Sequence, residues 1–425
     1  MWKLRAAAAR LLPGSKFGRN VGILTGGTLF AQGLMALALP VLTRLYTPDD
    51  FALLAVYMAI LGLLTAVSCL RLSLAIPLPE RDEEAINLLA LSLVAAIIVS
   101  AALGLPILAD AAAVARLIGQ PELEPYLWLV PVGVLLAGAY NALQYWAARR
   151  QRFQLVTRTR VTRAIGGAGA QLGVGLVHPT PFGLLVGHML YSGMGVLGLA
   201  RAMWREDRPL FPAIRNDAAR AALSSYRRFP LYSVPEALFN TGGIQLPILV
   251  IAAAAAGREA GFIMLAMQVM GVPMALLGSS VAQVYLAEAP RRLRERALVP
   301  FTRKAMLGLL KTGGVPLVLV GVVSPLVFPL VFGEEWTRAG HIVAWMTPWF
   351  VLQFVTSPIS AVLHVTGDLL AAMLLQAFGL ALRLGSVLAA ASWADDSLVE
   401  VYALSGMVFY GIYALVILRV LARHG

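Results

Sequence analysis

The chain reads as an all-α integral membrane protein, twelve transmembrane helices in two six-helix lobes, and three observations predict it. Hydrophobic residues make up 59% of its 425 positions and charged residues 13%, against roughly 45–50% and about 25% in soluble domains. Apolar runs near the length needed to cross a bilayer, about 20 residues, recur at 20–43, 51–79, 85–109, 125–148, 158–178, 181–203, 226–254, 258–286, 305–331, 340–364, 369–392 and 398–421. Of 34 Lys and Arg residues, 27 fall in the tails and even-numbered junctions and four (Arg44, Arg116, Arg258 and Arg338) in the odd ones. That bias places both termini on the cytoplasmic side.

Lys3, Arg5, Arg10, Lys16 and Arg19 precede the first run, as in a secretory signal. The run exceeds the roughly 7–15 residues of a signal core, and eleven more follow, so it reads as a retained first helix. Residues 1–12, with Trp2, Leu4, Leu11 and Leu12 among basic groups, are expected along the inner headgroups. Cys69, alone in its type, allows no internal disulfide and reads as a buried inert thiol. On the fifth helix Gly166, Gly167, Gly169, Gly173 and Gly175 suit close helix packing. Despite a net charge of +12, the basic groups sit at helix ends, where lipid headgroups and membrane insertion account for them. Nucleic acid is therefore not an expected partner.

The longest polar interruption, 204–225, divides the chain into an N-terminal lobe (1–204), a cytoplasmic linker (205–224) and a C-terminal lobe (225–425). Six is even, so both lobes enter the membrane in one direction and are related by an axis along its normal. Leu39-Pro40-Val41-Leu42 and Leu246-Pro247-Ile248-Leu249 form a faint echo between them. Helix seven carries Pro230, Pro235 and Pro247, and helix nine Pro316, Pro325 and Pro329; both are expected to bend.

Several segments resemble one family. They are Leu39-Pro40 through Arg44 with Tyr46-Thr47-Pro48-Asp49-Asp50-Phe51, then Arg71 through Pro79, then Tyr226 through Pro230 and on to Gln283-Val284-Tyr285. The chain is similar here to the O-antigen and capsule flippases (Wzx type) of the multidrug/oligosaccharidyl-lipid/polysaccharide superfamily. It departs at Ala52, where that family commonly has Gly. The resemblance implies a MATE-like fold, two lobes around a central cavity opening alternately to either side. It also implies a cargo of undecaprenyl-pyrophosphate-linked oligosaccharide, moved across a bacterial inner membrane, with membrane lipids, a glycan polymerase and chain-length machinery as partners.

Charges inside the apolar runs are the candidate site. Arg71 on helix two, Lys311 on helix nine and Arg383 on helix eleven each cost about 2.5–3.5 kcal/mol at the bilayer centre, and cations facing a cavity suit a pyrophosphate. Arg71 and Lys311 lie within snorkelling reach of the headgroups, and Arg383 lies deeper. Arg44 is an interfacial anchor or a release contact. Glu236, the one acid well inside a run, is the candidate for coupling to H+ or Na+, or for a static ion pair. The five histidines lack metal-ligand spacing, and no nucleotide-binding motif, catalytic triad or other cofactor site appears. A cation antiporter on the same fold would need more internal acids than bases. A glycan polymerase or ligase would need large external loops, and a membrane scaffold would be indifferent to neutralising the internal cations.

Overall fold

A computed structural model of the protein describes residues 16–254, 258–366, 368–393 and 397–423. The headgroup-lying segment expected at 1–12 and His424 lie outside the described residues, as does the side chain of His364.

Among the described residues the architecture is entirely helical. In the first half run α1 (Lys16–Leu45), α2 (Pro48–Ser68), α3 (Asp82–Ala109), α4 (Leu129–Arg149), α5 (Phe153–Val177) and α6 (Pro181–Glu206). The second half holds α7 (Phe229–Ala254), α8 (258–294), α9 (Leu298–Phe332), α10 (Glu334–Ile359), α11 (Leu369–Trp393) and α12 (Leu398–Arg423). Nine of these rods are long and apolar enough to span a membrane. The exceptions, α4, α5 and α8, are the more polar ones: α5 carries Arg158, Arg160 and Arg163, and α8 ends in Arg291, Arg292 and Arg294. Composition alone thus supports nine spans of the twelve expected.

Local chemistry starts and bends the rods. The α1–α2 turn is short because Thr47 and Asp50 form a reciprocal capping box, Thr47 N donating to Asp50 Oδ2 at 2.9 Å, with Pro48 in the first helical turn. Turns of π-helix interrupt α7 at Phe229–Ser233, α8 at Met274–Gly278 and α9 at Leu310–Gly314. Pro230 lies within the first, and Pro316 follows the third, because a proline ring cannot sit against an unbroken α ladder.

The helices of each half pack mainly on one another: α1 with α5, α5 with α6 and α3 with α4, then α9 with α10, α7 with α11 and α10 with α12. The halves meet chiefly along α2, which lies against α7 and α8. The polar segment joining the halves is held to the first. Asn87 on α3 donates to Ala213 O at 2.9 Å and accepts from Arg215 N at 3.2 Å. Asp207 is buried, gripped by both Arg152 guanidinium nitrogens at 2.6 Å and by Trp146 Nε1 at 2.8 Å. Cys69 is buried, its Sγ 3.3 Å from Gly138 O.

One helix boundary departs from the expected pattern. The second apolar run does not continue as helix to 79: α2 stops at Ser68, and Leu70 and Arg71 both take left-handed backbone (φ 48° and 57°) before a 3-10 turn at Leu72–Ala75. Arg71 therefore sits on a turn rather than on helix two.

Candidate functional site: a cation-lined cavity between the halves

The halves are sealed at the end of the bundle opposite the described termini. There Gly261 at the start of α8 lies so close to α2 that a Cβ on it would stand 2.2 Å from Pro48 O. Around this backbone contact, Arg258 pairs with Asp49 at 2.9 Å, and Arg44 Nη2 donates to Leu330 O at 3.0 Å. Trp336 is buried against Phe51 with ring centroids 4.8 Å apart, and its indole N–H donates to Thr43 O at 3.0 Å. Behind the seam, Arg338 bridges Glu259 (3.1 Å) and Glu400 (2.8 Å). Arg44 is thus part of a clasp between the halves.

Beyond the seam, towards the termini, a cavity of about 290 Å³ separates α1, α2 and α6 from α8. Gln32, His188, Tyr191 and Gln268 supply its polar groups, and Met35, Met58 and Met267 much of its apolar wall. Gln32 and Tyr191 are shared with a second space of about 160 Å³ lined by Arg160 and Arg163 of α5. Spaced i, i+3, these two arginines share one helix face. Arg160 Nη1 donates to Thr28 Oγ1 at 2.7 Å, whereas Arg163 Nε donates to Tyr191 O and its guanidinium lies 3.8 Å from the Tyr140 ring centroid. Neither forms an ion pair among the described residues. Two cations are therefore held in place by neutral groups, with their charge uncompensated next to a cavity.

The structure distributes the expected site residues differently. Arg383 is 2% exposed, walled in by Phe409, Trp349 and Tyr410 with ring centroids 4.2, 5.3 and 5.3 Å from its Cζ. Its Nη1 reaches Gly243 O on α7 at 3.4 Å, and its Nε and Nη2 have no hydrogen-bond partner among the described residues. It stands inside the second half, away from the cavity between the halves. Lys311 lies in the α9 π turn and is exposed on the same face as exposed Leu307, Val315 and Val318. Glu236 is half-buried early in α7 and pairs with no cation among the described residues. Arg71 lines a separate polar cup of about 140 Å³ in the first half. The five residues do not converge.

Arg160 and Arg163 were hidden by topology: charge counting assigns them to the junction before α5, because basic residues near a helix start are usually anchors. The available signal was their i, i+3 spacing within a helix of small residues.

The profile of the family described as polysaccharide biosynthesis protein matches residues 41–341. The chain belongs to this family. No curated protein matches it. Among solved structures it is similar to an inward-facing multidrug resistance MATE family transporter of the MOP superfamily, at 14% identity and TM-score 0.64, over 92% of this chain and 95% of that one. A eukaryotic MATE transporter, AtDTX14, matches at 12% identity and TM-score 0.60, over 96% and 97%. A MOP superfamily transporter from Pyrococcus furiosus, described as having a binding pocket of reversed polarity, matches at 15% identity and TM-score 0.58, over 95% and 96%. The chain is thus a multi-pass membrane protein of polysaccharide biosynthesis with the MATE fold, as its resemblance to the flippases implies.

Proposed function

We propose that this protein carries an oligosaccharide linked to undecaprenyl pyrophosphate from the inner to the outer leaflet of a bacterial inner membrane by alternating access, both termini facing the cytoplasm. The observation that carries this reading is the pair Arg160 and Arg163, cationic, free of carboxylate partners among the described residues and beside the cavity between the halves. A pyrophosphate entering an oil-like layer loses hydration worth many kcal/mol. Fixed guanidinium groups that already lack counter-ions offset that loss without first breaking an ion pair. The polyprenyl tail needs no protein pocket, since it stays in lipid.

In this orientation the seam closes the periplasmic end and the cavity faces the cytoplasm, the side on which such cargo is assembled. Glu236, on the bent start of α7, is the group proposed to exchange H+ or hold Na+ as the halves rearrange. An organic-cation antiporter on the same fold is the rival. It would need an anionic receptor, and among the described residues no Asp or Glu lines the cavity or its arginine-bearing extension.

The test is made in the native host after depletion of the protein, with a membrane-impermeant reagent that modifies periplasmic glycan. Polyprenyl-linked glycan should accumulate unreactive and become reactive on re-expression of the wild type, but not of Arg160→Gln/Arg163→Gln. Accumulation of reactive, outward-facing intermediate during depletion would rule out the flippase reading.

A further inference from the structure

The polar cup in the first half lies apart from the cavity between the halves. At the termini end of α2, Thr65 and Ser68 stand i, i+3 on one face; on α4, Asn141 and Gln144 stand i, i+3 and face them. Tyr145 and Arg71 also line it. Among the described residues the Asn141 and Gln144 amides make no hydrogen bond, and Thr65 Oγ1 and Arg71 Nε are buried without a partner. Buried polar groups are normally satisfied, and in a membrane protein each one left open is costly. Thr65 Oγ1 and Arg71 Nε are such groups at the wall of the cup, and the half-buried Asn141 and Gln144 amides face the same space from α4.

The floor of the cup is strained. Leu70 and Arg71, both with side chains, hold left-handed backbone at φ 48° and 57°, a conformation that costs about 1 kcal/mol or more for each such residue. Without that turn α2 would run on and carry Arg71 away from α4. The 3-10 turn after it packs against the π turn Phe229–Ser233 of α7, so the cup borders the other half.

We infer that this cup is a carbohydrate subsite: the Asn141 and Gln144 amides for sugar hydroxyl or acetamido groups, the Tyr145 ring for a sugar face, and Arg71 for an adjoining phosphate. The inference rests on the proposed function and deepens it, assigning the glycan to the first half and separating its recognition from Arg160 and Arg163. Amides serve this chemistry because each offers donors and acceptors in one plane, the pattern that vicinal hydroxyls present. Carboxylates would bind sugar equally well but repel the phosphate, and none lines the cup.

The experiment uses purified full-length protein in lipid nanodiscs and two probes: lipid-linked oligosaccharide extracted from an export-blocked host, and undecaprenyl pyrophosphate without sugar. Affinities are read for wild type and for Asn141→Ala/Gln144→Ala. These two side chains make no hydrogen bond among the described residues, so the double variant should keep its thermal midpoint. The expected result is a loss of at least ~tenfold in affinity for the glycosylated lipid, the scale set by one or two lost hydrogen bonds, with less than about a twofold change for the bare carrier. Wild-type affinity of the variant for both probes overturns the sugar subsite and leaves the flippase reading standing. Equal loss for both also overturns it, because the cup would then act on the carrier or on folding. Failure of the wild type to bind either probe sinks the flippase reading itself.

Discussion

Gly261 offers the most direct test of the seam. A Cβ at this position would meet Pro48 O at 2.2 Å and Ala52 N at 3.0 Å, whereas a carbon and a carbonyl oxygen ordinarily approach to about 3.3 Å at closest. Both obstacles are backbone, so no rotamer change relieves the clash, and α8 must move off α2 by about 1 Å. Overpacking of this kind costs about 1–3 kcal/mol. Only the sealed arrangement bears that cost. A central value of ~2 kcal/mol therefore moves the balance between sealed and unsealed forms by about 30-fold. The assay is chemical cross-linking across the seam with a short bis-maleimide, after Asp49→Cys and Arg258→Cys in a Cys69→Ser background. Gly261→Ala should lower the cross-linking rate severalfold, and Gly261→Val should lower it further. Gly308→Ala, where a Cβ meets nothing within 4 Å, should leave it unchanged. Undiminished cross-linking in Gly261→Val, with protein levels normal, would show that the halves are not held apart by this contact and refute the reasoning.

Other expectations follow from the same geometry. Arg163→Gln should reduce glycan export at least ~tenfold at normal membrane abundance, since it removes a cation while keeping a donor near the Tyr191 carbonyl; full complementation would remove this residue from the site. Glu236→Gln should abolish export if the carboxylate couples an ion to the rearrangement, whereas unchanged export at every external pH would end that role. Asp207→Asn leaves Arg152 partly uncompensated in a buried setting and should cost about 3–5 kcal/mol, read as a lower thermal midpoint in detergent. The same clamp carries a pH signature. Burial works to raise the Asp207 carboxyl, but the Arg152 and Trp146 hydrogen bonds and the Arg152 and Arg150 charges hold it below its ordinary value. Its contribution to stability is thus complete above the unfolded-state value of about 3.9 and disappears as pH falls through the lower folded value. Acid titration of the thermal midpoint should show a loss below pH ~4 that Asp207→Asn lacks.

How much was legible depended on whether a residue's role follows from periodicity or from its neighbours. Apolar run length anticipated the helical order, because it arises from local chemistry along one chain. Cys69 was legible for the same reason, as a lone apolar-flanked thiol. Arg383 has an apolar context that reads the same whether it opens on a cavity or, as found, is enclosed by Phe409, Trp349 and Tyr410; only tertiary packing separates the two. The left-handed turn at Leu70 and Arg71 gave no warning, since such a turn usually announces itself with glycine. Thr65 with Ser68, and Asn141 with Gln144, were visible as polar pairs at helical spacing inside apolar runs.

The three π turns have a mechanical consequence. All fall in the second half, in α7, α8 and α9, and none occurs among the described residues of the first. A π turn holds one residue more than an α turn, so a rod can shift its surplus along its length and twist one face relative to the other while remaining a rod. The first half has no such turn among its described residues; its interruptions are Pro40 within α1, Pro106 within α3 and the break in α6 at Met194. The two halves are therefore expected to yield by different means, the second by sliding a surplus residue along a rod and the first by swivelling at fixed breaks.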